Sequence, residues 1–142
     1  MRTCAIAVAF AVLAAAACRR HQVPSREVHL QVELDAFSGR PNPRWELSSE
    51  QSADFAARFR SLKPANAAAA AGEGLGYRGF VVRSLDGYDE VRIFRGTVTA
   101  LRSGKTELLS DPDGALERWL LDSARDHVDE PVLNYIRTEI GR

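Results

Sequence analysis

Glu27-Val28-His29-Leu30-Gln31-Val32-Glu33-Leu34-Asp35-Ala36-Phe37 alternates polar and apolar residues along almost its whole length. Successive side chains of an extended chain point to opposite faces, so Val28, Leu30, Val32, Leu34 and Ala36 share one face. Glu27, His29, Gln31, Glu33 and Asp35 share the other. A strand that buries only one side belongs to an antiparallel or mixed sheet, not to a sheet covered on both faces.

The segments downstream supply the rest of such a sheet. Phe37-Ser38-Gly39-Arg40-Pro41-Asn42-Pro43-Arg44-Trp45 cannot continue the strand, because its two prolines fix φ and remove two N–H donors; it reads as irregular. Ser48 with Gln51 three residues later forms a capping box, and Ala53, Phe55, Ala56, Phe59 and Leu62 stripe the helix it opens, which Pro64 ends. Ala65 to Gly76, rich in Ala and then Gly, reads as a loop. Strands are expected over Tyr77 to Leu85, Tyr88 to Arg95, Thr97 to Leu101 and Thr106 to Leu109, with turns at Asp86-Gly87 and Ser103-Gly104 and a break at Gly96. Asp111-Pro112 opens a helix lined by Leu116, Trp119, Leu120 and Ala124; Val132, Leu133, Ile136 and Ile140 line a shorter one after Pro131. This order is that of an α+β fold: an antiparallel meander of four to five strands with helices packed on one face, in a single domain over residues 27–142.

The first eighteen residues read differently. Arg2 precedes an unbroken apolar run from Ala5 to Ala17, which ends in small residues before Cys18. Basic, apolar, small is the order of a secretory signal peptide, and the run is too short for a stable bilayer-spanning helix. Leu13-Ala14-Ala15-Ala16-Ala17-Cys18 resembles the bacterial lipobox, which implies removal of residues 1–17 and acylation of Cys18. Residues 18–26 then form the lipidated cysteine and a polar tether. The resemblance implies a bacterial envelope lipoprotein held to the bilayer through acylated Cys18, and Arg19 in place of Asp after it points to the outer membrane. Cleavage without acylation would instead leave Cys18 as a lone thiol in an oxidising compartment, since Cys4, the other of the two cysteines, lies within the signal.

Charge narrows the classes of partner. The 142 residues carry 19 Lys+Arg against 19 Asp+Glu, a formal net charge of zero, so no overall field draws the chain to nucleic acid. Gly74-Leu75-Gly76-Tyr77-Arg78-Gly79 spells G-x-G-x-x-G, but a dinucleotide fingerprint needs a strand before it and a helix after it. Here a loop precedes and a strand follows, so no nucleotide is expected; glycines entering a strand account for the match. His21, His29 and His127 are scattered, and Asp126-His127-Val128-Asp129-Glu130 has neither zinc nor calcium spacing, so it reads as a solvated helix terminus. No metal, cofactor or catalytic residue is assigned.

The candidate binding residues are Arg40, Asn42, Arg44 and Trp45, in the proline-stiffened segment. Guanidinium forks suit carboxylates, and an indole offers a flat apolar face. The competing reading is structural: Phe37 and Trp45 plug the core while Asn42 and the arginines bond nearby carbonyls and carboxylates. Tyr77-Arg78 would neighbour the segment if the strands pair. The stretch, with LGYRGF downstream, resembles uncharacterised exported proteins carrying S-G-R-P-N-P-x-W, a likeness that brings no activity with it. The expectation is a membrane-anchored binding or structural module whose partner is an envelope protein or small ligand; the alternative is a small secreted hydrolase or other enzyme.

Overall fold

The computed structural model describes residues 29–66 and 76–140. The signal, Cys18 and the tether lie outside the described residues, as do Gly74 and Leu75 of the glycine motif. Among the described residues, seven strands form one antiparallel sheet: β1 (Gln31–Leu34), β2 (Arg44–Glu46), β3 (Lys63–Pro64), β4 (Phe80–Arg83), β5 (Glu90–Phe94), β6 (Thr97–Arg102) and β7 (Lys105–Ser110), in the order β2-β1-β4-β5-β6-β7-β3. With helices α1 (Ser49–Ser61), α2 (Ala115–Ser123) and α3 (Glu130–Ile140), the molecule is α+β with an antiparallel sheet, as the alternation requires.

The strand number departs from four to five, and the two additions have physical causes. Arg44 and Trp45 are not irregular: β2 pairs with β1 through Val32↔Trp45, and Leu34 N–H donates to the Pro43 carbonyl at 3.0 Å. Proline withholds a donor but keeps its acceptor, so the pairing survives from one side. Strand β3 contains Pro64 and sits at the sheet's other margin against β7, where a proline costs little. The terminal helix also exceeds expectation, with 11 residues in α3 against 9 in α2.

Local signals set the connections. Ser48 and Gln51 make both bonds of the capping box on α1. Arg95-Gly96 and Ser103-Gly104 have positive φ at both positions, which makes two-residue hairpins of β5–β6 and β6–β7. Asp111 reaches over a 3-10 turn (Pro112–Gly114) so that its carboxylate accepts from Leu116 and Glu117 N–H at 3.0–3.1 Å. It thus caps the first turn of α2 from five and six residues away.

One core joins sheet and helices. Val32, Leu34, Phe80, Val82, Val91, Ile93, Val98 and Ala100 share it with Phe55, Phe59, Leu116, Leu120, Leu133 and Ile136. The opposite sheet face carries Gln31, Glu33, Arg44, Arg83, Glu90 and Arg92, by the alternation read from β1. Val81 belongs to that second face by register yet is 2 % exposed, because the charged side chains around it roof it over.

Candidate functional site

Strand alternation delivers two carboxylates, Glu33 and Asp35, to the face away from the core, where donors from three strands and from the segments holding Asn42 and Arg78 converge. Glu33 accepts from Asn42 Nδ2 at 3.1 Å, from Arg44 Nε at 3.0 Å and from the Arg83 guanidinium at 3.0 Å. Asp35 accepts from Asn42 Nδ2 at 3.1 Å and from the guanidinium groups of Arg78 at 2.5 Å and Arg92 at 3.0 Å. Glu90 closes the lattice, meeting Arg83 at 3.1 Å and Arg92 at 3.6 Å. Burial alone would raise the pKa of Glu33; the bonds from Asn42, Arg83 and Arg44 outweigh it and hold the carboxyl below its ordinary range. Asp35 is lowered in the same way, burial being overcome by Arg78, Arg92 and Asn42.

The arginines are therefore held at fixed positions. Arg83 and Arg92 each bridge two carboxylates, whereas Arg44 spends its Nε on Glu33 and leaves 71 % of its side chain in solvent. Beside it lies a groove of about 490 Å³ walled by Gln31, Glu33, Arg44, Glu46 and Arg83, together with Trp45. A guanidinium held by a carboxylate on one side is oriented for a second anion on the other. Glu46 and Gln31 add an acceptor and an amide, so the groove suits a polar partner of mixed charge.

The four residues singled out in the sequence separate here. Arg44 reaches the groove. Asn42 turns inward: its Oδ1 accepts from Ala36 and Phe37 N–H at 3.2 and 3.0 Å while its amide ties Glu33 to Asp35. Trp45 is 5 % exposed, lies edge-on to Phe80 and parallel to His127, and donates from Nε1 to Ser123 Oγ at 3.2 Å. Arg40 remains at the surface with its guanidinium 3.5 Å above the Phe37 ring. The structural reading thus describes Asn42 and Trp45, while Phe37 is half-buried beneath Arg40 and not a core plug. Arg78 does join the segment, donating to the Phe37 carbonyl at 3.2 Å, but Tyr77 turns into the core.

The glycine motif has a packing explanation where it is described. A Cβ on Gly79 would lie 2.2 Å from the Ile93 carbonyl oxygen, and strand β4, not a helix, follows. Among the described residues no group of three or more His, Cys, Asp or Glu side chains is placed to hold a metal ion.

A second cluster went unread in the sequence. Glu117 is wholly buried; its Oε1 accepts from the Tyr77 hydroxyl and from Arg95 N–H, and its Oε2 has no hydrogen-bond partner. Burial first, and the nearby Asp111 carboxylate as well, push its pKa above the ordinary value, against the pull of the Tyr77 and backbone bonds. Burial and Glu117 likewise raise the Tyr77 hydroxyl. The signal was present: Glu117 stands three and four residues before Leu120 and Leu121, on the helix face that enters the core.

No family model matches the chain, and neither a curated protein nor a solved structure matches it.

Proposed function

We propose that the chain is a membrane-anchored binding module of the bacterial envelope, tethered by acyl chains on Cys18 and making its contact through the groove of Arg44, Glu46 and Arg83. The observation that carries the binding half is the orientation of Arg44: one nitrogen is fixed on Glu33 and most of the side chain faces solvent. The anchoring half rests on the basic, apolar and small order of residues 1–18 and on the lipobox-like run ending at Cys18. The bilayer acts as an anchor, and the groove's recognised partner is a polar segment of an envelope protein, with mixed charge to match Arg44 and Glu46.

A small secreted hydrolase is the competing reading; the groove's Glu33 has its oxygens taken by Asn42, Arg44 and Arg83, and the buried titratable cluster does not favour an enzyme either. Tyr77, Glu117 and Asp111 are 7 %, 0 % and 1 % exposed, enclosed by core residues and apart from the groove. Their arrangement fits an internal polar contact between the entry to β4 and the start of α2.

Two variants test the two halves separately. Cys18→Ala is expected to move the protein from the membrane to the soluble fraction with an unchanged melting curve; retention in the membrane fraction refutes the anchor. Arg44→Ala with Glu46→Ala is expected to abolish affinity capture of the partner from envelope extracts while the fold persists. Undiminished capture refutes the groove.

A further inference from the structure

We propose that the partner of this groove is a second copy of the chain, joined by antiparallel pairing of β2 with β2 about a two-fold axis at Trp45. The inference rests on the reading of the Arg44–Glu46 side as the recognition surface, and it does not need the anchor.

Three observations lead to it. Among the described residues, strand β2 is the end strand of the sheet. On its inner side, Leu34 N–H donates to the Pro43 carbonyl at 3.0 Å and Leu47 N–H donates to the Leu30 carbonyl at 2.9 Å. Residues 43, 45 and 47 therefore direct their peptide groups at β1. In an antiparallel ladder alternate residues direct theirs the opposite way, so the N–H and C=O of Arg44 and Glu46 point outward from the sheet margin. The N–H that Pro43 lacks belongs to the inner side, and the proline does not blunt the outer one.

The third observation is the order of side chains. Arg44-Trp45-Glu46 is antisymmetric in charge about Trp45, positive on one side and negative on the other. When β2 runs antiparallel to its own copy with Trp45 facing the partner's Trp45, Arg44 stands opposite the partner's Glu46, and Glu46 opposite the partner's Arg44. These two positions are the ones whose peptide groups point outward, so register and hydrogen bonding coincide: four backbone bonds form, and both cross-strand pairs are of opposite charge. A two-fold axis normal to the sheet keeps the charged faces on one side. Arg44 would then lie between its own Glu33, at 3.0 Å, and the partner's Glu46, and the carboxylate–guanidinium lattice would run on across the junction. Any one-residue slip places Trp45 opposite a charged residue and removes the symmetry.

A three-residue strand buries less than the ~1,200 Å² of a lasting complex, so the pairing is transient at low concentration and gains from confinement on a surface. Charge complementarity is what makes it testable. Sedimentation equilibrium of the full-length chain in density-matched detergent, taken up to about 1 mM at the weak end of the affinity scale, is expected to show a monomer–dimer equilibrium. Glu46→Arg leaves the Glu33–Arg44 contact in place and sets Arg against Arg twice; association should weaken by about tenfold or more. Arg44→Glu should do the same, and mixing the two variants should restore association as a heterodimer, since each now supplies the opposite charge. Circular dichroism melts verify that each variant folds, and Glu46→Arg alone suffices should Arg44→Glu unfold. A wild-type monomer throughout, unchanged association of Glu46→Arg, or no heterodimer from two folded variants overturns the pairing. If the wild type is monomeric but Arg44 still governs capture of another protein, self-pairing fails while the groove stands.

Discussion

Replacing Glu117 by Gln should change how the stability of the domain depends on pH, with a sign set by the carboxyl's surroundings. Glu117 is 0 % exposed, and its Oε2 has no hydrogen-bond partner. Burial raises its pKa in the folded state, whereas the unfolded chain returns it to the ordinary carboxylate range. Below that range both states hold the proton and pH has no leverage. As pH rises the unfolded chain releases its proton first, so folding becomes less favourable until pH passes the raised value. Within that window one group contributes a slope of at most ~1.4 kcal/mol per pH unit. Gln keeps an acceptor for the Tyr77 hydroxyl and Arg95 N–H but cannot titrate. It also replaces the neutral carboxyl's single O–H at Oε2 by an NH2, whose additional N–H is a further buried donor without a partner, costing about 1–3 kcal/mol. Glu117→Gln should therefore be the less stable protein at about pH 4.5, and its deficit should shrink as pH rises towards 8. Urea unfolding followed by the fluorescence of Trp45 and Trp119 measures this, and subtraction of the two proteins removes the titration of every other group. A deficit that stays constant or widens with pH refutes the buried, proton-holding carboxyl.

The remaining expectations concern the lattice and the strand entry. Glu33 and Asp35 have lowered pKa values, so their contribution is present above the ordinary carboxylate range and is lost as pH falls through the lowered values. Glu33→Gln should flatten the acid limb of the stability curve, and an unchanged limb would refute the role given to its three donors. Asn42→Ala removes two bonds to backbone N–H groups and the tie between Glu33 and Asp35, for a loss of about 2–3 kcal/mol in chemical unfolding. Gly79→Ala drives a Cβ to within 2.2 Å of the Ile93 oxygen at φ +103 and should cost about 2–4 kcal/mol. Gly104→Ala meets nothing within 4 Å and should cost only the about 1–2 kcal/mol of a left-handed residue. Equal losses at the two glycines would refute the close approach.

What could be read from the sequence was local in origin. The alternation of residues 30–36 gave Leu30, Val32, Leu34 and Ala36 their burial, because a period of two needs no knowledge of distant partners. The capping box at Ser48 and the hairpin turn at Ser103-Gly104 are likewise written within four residues. Strands β2 and β3 escaped because both contain or follow proline, and local propensity counts the lost donor but not the retained acceptor. Their pairing depends on what lies alongside: Leu34 offers an N–H to Pro43, and β7 offers a margin to Pro64.

The site divides along the same line. A segment holding Arg40, Asn42, Arg44 and Trp45 reads as one chemical unit, yet a strand sends neighbours to opposite faces, so once β2 forms the Trp45 indole turns to the core while Arg44 stays on the open face. That single strand converts a loop of four recognition residues into a core tryptophan flanked by two charges of opposite sign on the open face. Glu33 and Asp35, read at first as the solvent side of β1, are the fixed points of that face, because their donors Arg78, Arg83 and Arg92 arrive from segments more than forty residues away. A local reading assigns each of those arginines to solvent and misses that they meet on one pair of carboxylates. The consequence is directional: Asn42 is fixed through Oδ1 on the Ala36 and Phe37 N–H groups and ties Glu33 to Asp35 through Nδ2. The lattice fixes Arg44, and in the proposed binding role Arg44 with Glu46 forms the surface that meets the partner.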